Sequence, residues 1–261
     1  MIAVFLVLFV PYLLSATDIY KVPRTHAGVP DLQGIWQAYG TAAWNLEDHA
    51  ASYQIPAGRS VVVGGTIPYQ SWARKQRDEN FRQHRVRDPV GKCYMAGVPR
   101  ITYMPFPLQV FQGNDYVVIL SEYAHTTRYI PTDGREHMQD VDFWMGDSRG
   151  HWEGDTLVVD VRNFTDQTWF DASGNFHSSK LHVVERYTRI SHEVIKYEAT
   201  IEDPEVFTRP WKIETTLQLR QEPGLQLLEY ACNAYAEEEG FGQLGTDPEN
   251  RGSAVKDKDN K

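Results

Sequence analysis

Two stretches decide the fold: Pro30-Asp31-Leu32-Gln33-Gly34-Ile35-Trp36 and Gly150-His151-Trp152-Glu153-Gly154-Asp155-Thr156-Leu157-Val158-Val159-Asp160. Each is a Gly-x-Trp step that opens onto a strand. A glycine removes the side chain where backbone crowds, and a tryptophan two residues on can plug one end of a curved sheet. The pairing predicts an all-β chain: a single closed antiparallel β-barrel with an interior able to hold a small molecule.

The rest of the chain agrees with that class. Leu108–Gln112, Tyr116–Glu122 and Thr126–Ile130 read as consecutive strands, the first two joined by a hairpin at Gly113-Asn114-Asp115. Further strands are expected at Thr156–Arg162, Leu181–Ile190, Val194–Ile201, Lys212–Arg220 and Leu225–Cys232. Regular turn punctuation without βαβ alternation indicates a sandwich or barrel. Ser71–Arg87 is the one helix candidate, capped by Ser71 and ended by Asp88-Pro89. Long irregular stretches, such as residues 41–70, read as loops.

Bulk properties narrow the function classes. The chain has 261 residues and a formal net charge of −9, which argues against nucleic-acid binding because phosphates would repel it. Ile2–Leu14 is almost wholly apolar, too short to span a bilayer comfortably, and of the length of a signal-peptide core. Leu14-Ser15-Ala16 supplies a cleavage site, so export to the periplasm or medium is expected, with no membrane span after signal removal. The expected organisation is a signal peptide over 1–16, a barrel domain over 17–245 and a disordered polar tail over 246–261. In an exported protein the two cysteines, Cys93 and Cys232, form an even pair suited to a disulfide. Their separation excludes a CxxC metal knuckle.

The strings around Gly34 and Gly150 also carry a resemblance. Pro-Asp-Leu-x-Gly-x-Trp, followed by Gly146-x-Ser148-x-Gly150-x-Trp152-Glu153-Gly154-Asp155-Thr156-Leu157-Val158-Val159-Asp160, resembles an uncharacterised family of exported bacterial proteins. Pro99-Arg100, Thr132-Asp133-Gly134-Arg135, Glu202-Asp203-Pro204 and Pro210-Trp211 are further matching pieces. The resemblance implies a common fold and brings no chemistry with it. The Gly-x-Trp opening is also similar to lipocalin-like barrels.

Three constellations are candidates for chemistry. His177 and His182 stand near Glu185 and Arg186. Alternation puts His182, Val184 and Arg186 on one strand face and Val183, Glu185 and Tyr187 on the other. Either histidine alone reads as structural; for the pair, a structural role and a general acid or base role weigh equally. A metal would need His182 and Glu185 to converge, which their offset of three residues on a regular strand opposes. Second, Arg100, Gln109, Glu122 and Arg128 lie on or near adjacent strands; a buried Glu122 would need a partner, and Arg128 suits it. Third, Gly146-Asp147-Ser148-Arg149-Gly150 satisfies G-x-S-x-G, but the strand-turn-helix context of a serine hydrolase is missing, and the glycines read as a turn. Trp144, Trp152, Trp169, Trp211, Tyr103, Phe106, Phe143 and Phe164 are core or cavity aromatics.

No dinucleotide fingerprint, P-loop or CxxCH is present, so no cofactor is expected. The leading expectation is a cofactor-independent isomerase or lyase acting on a small, largely apolar carbonyl or hydroxyl compound. His177, His182, Glu122, Arg128 and Glu185 would be catalytic; Arg100, Tyr103, Gln109, Trp144, Trp169 and Arg186 would bind substrate. The alternative is a binding protein for a hydrophobic small molecule, and the third reading is a metal-dependent hydrolase.

Overall fold

The computed structural model describes residues 20–52, 55–230 and 232. The expected signal peptide and polar tail lie outside these residues. Nine strands form one antiparallel sheet: β1 (Gly34–Ala38), β2 (Leu108–Gln112), β3 (Tyr116–Ser121), β4 (Thr127–Pro131), β5 (Asp147–Glu153), β6 (Thr156–Arg162), β7 (His182–Arg189), β8 (Val194–Glu202) and β9 (Trp211–Leu219). Their order is β4-β3-β2-β1-β9-β8-β7-β6-β5. The sheet curls until its two end strands meet, giving a nearly closed barrel.

Closure between β4 and β5 is made by side chains. Arg128 Nε on β4 donates to Ser148 Oγ on β5 at 3.0 Å. A Cβ built on Gly150 of β5 would lie 2.9 Å from Ile130 Cγ2 and 3.0 Å from Thr132 Cγ2, so the bare glycine lets the two strands approach. The turn expected from Gly146 to Gly150 is therefore a correction: only Gly146 is in a left-handed turn, with φ +67°, and the strand begins at the next residue.

Alternating burial on β7 and β8 sets which residues face inward. Val183, Glu185, Tyr187 and Arg189 on β7 are buried, as are Ile195, Tyr197, Ala199 and Ile201 on β8. The first Gly-x-Trp step works as the sequence suggests. Gly34 has φ +134°, and a Cβ there would meet Leu219 Cδ1 at 2.8 Å. Trp36 is fully buried and donates from its indole nitrogen to Leu32 O at 2.9 Å. The Arg189 guanidinium stacks over the indole at 5.3 Å and donates to the carbonyls of Asp31 and His192, both at 2.7 Å.

The helix candidate divides into α1 (Ser71–Arg82) and α2 (His84–Arg87), separated at Gln83 (φ −112°). The cap position is Gln70, so Ser71 is the first helical residue. A buried 3-10 turn, Arg100–Tyr103, enters the barrel end and sets Thr102 Oγ1 3.2 Å from the Tyr187 hydroxyl. Residues 225–230, expected as part of a strand, join no strand among the described residues. They are held instead by Glu122, whose Oε2 accepts Leu228 N at 2.8 Å, by His125, whose Nε2 accepts Tyr230 N at 3.1 Å, and by the Cys93–Cys232 disulfide.

Candidate functional site

The barrel interior holds a buried charge pair. Glu185 has no exposed surface and pairs with Arg128 Nη2 through Oε2; its Oε1 accepts the hydroxyls of Tyr187 at 2.9 Å and Tyr197 at 2.7 Å. Burial disfavours the Arg128 charge, and the Glu185 carboxylate outweighs it, holding the guanidinium above its ordinary range. Burial, then the same carboxylate, push both tyrosines above theirs. The pairing of Arg128 with Glu122 expected from sequence is corrected: Glu122 follows β3 and binds the backbone of Leu228. Which carboxylate meets Arg128 is set by barrel closure, which brings residues 57 apart in sequence together.

A second polar centre lies near the 3-10 turn. Arg100, 2% exposed, makes a two-pronged pair with Asp88 at 2.7 and 2.8 Å. Asp171, fully buried, accepts Leu46 N at 2.8 Å and Ser173 N at 2.9 Å. Burial raises its carboxyl to about 6 against the pull of hydrogen bonds from the Asn175 side chain and the Leu46 amide and of the Arg100 charge. Nearby, His177 is held between Phe164 and Phe170, with ring centroids 5.8 and 5.2 Å away. Its Nδ1 stands 2.9 Å from Ser178 O and its Nε2 2.7 Å from Thr168 Oγ1, and burial lowers its pKa. Both nitrogens are engaged inside the fold.

His182 is on the opposite, outer face of β7. Its Nε2 lies 2.9 Å from Asp160 Oδ2, and its Nδ1 lies 3.7 Å from Glu202. Arg186, on the same face, pairs with Glu153 at 2.9 Å. Gln109 is half-buried on β2, on the face opposite Leu108 and Val110. Trp144 packs on Tyr94 with ring centroids 5.2 Å apart, and Trp169 is buried and bridges Phe176 through the backbone. The structure thus unites Arg128 with Glu185 and separates His177, His182 and Glu122. Among the described residues, no group of three or more His, Cys, Asp or Glu side chains converges as a metal centre.

Sequence reading missed a feature able to take a ligand, an opening in the barrel wall. On β9, Leu217 pairs with Ala38 at the end of β1. The chain then leaves the wall for residues 39–60 and returns to β9 at Glu214, whose N–H donates to Val61 O at 2.8 Å. Thr215 and Thr216 lie between these two points. A cavity of about 310 Å³ fills the gap, lined by Ala38, Thr41, Arg59, Val61, Thr215 and the expected binding residue Tyr103. Thr215 faces inward, since it pairs with the inward-facing Tyr197. Tyr103 donates to Phe170 O at 2.8 Å, and burial, then Asp171, raise its pKa well above the ordinary phenol value. The signal available in sequence was the long turn-rich excursion between two strand segments; nothing in it marks where it re-enters the sheet. A larger groove of about 590 Å³ lies outside the barrel between Gln70, Ser71, Glu202, Phe207, Arg209 and Pro210. No protein-family model matches the chain, and no curated protein does.

Proposed function

We propose that the chain is an exported binding protein that takes a small, mostly apolar molecule carrying one or two hydrogen-bonding groups. One observation carries this reading: the wall opening beside Thr215, lined by alanine and valine side chains together with Thr41, Thr215 and Tyr103. Its volume is at the small end of the range for ligand sites. Arg59 at the same cavity favours a ligand with an anionic or acceptor end. The acid/base reading of the histidines needs both on one cavity wall; His177 is buried in a loop before β7 and His182 lies on the outer face of β7, each bound to groups of the fold. Export is supported by the disulfide, the apolar leader and the motifs resembling exported bacterial proteins.

The test uses 1-anilinonaphthalene-8-sulfonate, an apolar probe with an anionic end. The wild-type protein should bind it saturably, and Thr215→Trp, which fills the opening, should weaken binding about tenfold while keeping the wild-type circular dichroism spectrum. Equal isotherms for the two folded proteins would place the probe elsewhere and reject the site.

A further inference from the structure

The segment joining β4 to β5, residues 132–146, links the two strands whose junction is made by side chains, and it folds back over the outer face of the barrel. Its centre is fastened by His137. Nδ1 of that ring is 3.1 Å from Asp147 Oδ2 on β5, and Nε2 is 2.8 Å from Asp160 Oδ1 on β6. The other Asp160 oxygen meets His182 Nε2 on β7 at 2.9 Å, and His182 Nδ1 faces Glu202 on β8 at 3.7 Å. Carboxylate and imidazole therefore alternate across four strands, in the order Asp147, His137, Asp160, His182, Glu202.

A carboxylate only accepts hydrogen bonds. With an acceptor at each ring nitrogen, both bonds of His137 form together only when each nitrogen carries a proton. Loss of one proton turns a lone pair toward a carboxylate, so one of the two fastenings becomes a repulsion. We propose that His137 is a proton-operated clasp, which holds the β4–β5 connection against the barrel when its ring is charged and loosens it when the ring is neutral.

The surrounding charges favour the closed form. From β5, Arg149 binds Asp147 and donates to Glu136 O at 2.7 Å; from β6, Arg162 donates to Asp160 Oδ1 at 2.8 Å. Asp133 and Arg135 of the connection pair with each other. Among the described residues the guanidiniums of Arg149 and Arg162 and the ring of His182 thus face the three carboxylates Asp147, Asp160 and Glu202, and a charged His137 ring adds a further positive group between Asp147 and Asp160. At its Asp160 end the clasp keeps its carboxylate into acid. Burial raises the Asp160 pKa, but hydrogen bonds from His182 and Arg162 outweigh it and hold this carboxyl well below the usual range. Loosening follows loss of one ring proton as pH rises. The Met138 amide reports it, because it donates to the same Asp147 oxygen at 2.8 Å.

Hydrogen exchange read by mass spectrometry on peptides covering residues 135–141 tests the clasp in the unmodified protein. After correction for intrinsic exchange, protection should fall about tenfold between roughly pH 5.5 and pH 8.5. In H137Q it should be low and flat across that interval. Equal corrected protection of the wild type at both pH values would overturn the proposal, as would a pH response that survives in H137Q.

Discussion

Glu185 is the residue around which the interior is organised. One oxygen takes two tyrosine hydroxyls and the other takes the Arg128 guanidinium, so the carboxylate is satisfied without solvent. Such a pair adds little net stability over apolar residues of the same shape, but breaking it strands a buried charge. Arg128→Met and Glu185→Gln should each cost about 3–5 kcal/mol in urea unfolding. The double variant strands no charge and should cost clearly less than the two single costs combined, a coupling of about 1 kcal/mol or more. Additive costs would show that the two groups do not act as a pair. Alternation groups Glu185 with Val183 and Tyr187 on one strand face, but the sequence shows neither that this face is the inner one nor that Arg128 is its partner. Alternation fixes a face and leaves open which distant strand lies across the barrel, which is why Glu122, six residues from Arg128, looks the natural partner until the sheet closes.

At the scale of elements, strands declared by alternation were legible almost to the residue. β2 and β6 fall where the pattern puts them, and β7 and β8 differ by a residue or two at their ends. Two elements follow different physics. Residues 225–230 have strand-like composition, yet their amides go to Glu122 and His125 side chains and their path is fixed by a disulfide. β5 reads as a turn because glycines punctuate it, whereas Gly150 serves close approach inside the strand. That role has a measurable cost. In Gly150→Ala the new methyl would press on Ile130 of β4 and on Thr132 just after it, both branched at Cβ, so β4 and β5 must separate. A loss of about 1–3 kcal/mol is expected, with faster amide exchange confined to β4 and β5. Wild-type stability in this variant would mean that the junction has slack and that Ser148 and Arg128 alone hold it.

For the whole molecule, the barrel closes its sheet between β4 and β5, and the disulfide closes the chain between Cys93 and Cys232. Cys93 follows the helical region, and Cys232 ends the strap that crosses Phe106 and Tyr123, where the Tyr230 ring packs at 4.8 and 5.5 Å. The bridge spans 139 residues, so the unfolded chain loses closure entropy worth about 5 kcal/mol if the native state is unstrained. At roughly 2–4 °C per kcal/mol for a chain of this size, reduction and alkylation of the folded protein should lower Tm by about 10–20 °C. The strap has no ladder bonds of its own and depends on the bridge for its position. Its amides at Leu228 and Tyr230 should therefore lose protection first, while far-ultraviolet circular dichroism, dominated by the nine strands, stays unchanged below the new Tm. A reduced protein with the original Tm would mean that the strap is held by its aromatic and side-chain contacts and that the bridge adds nothing. Loss of the strand signal on reduction at low temperature would mean that the barrel cannot close unless its ends are tied.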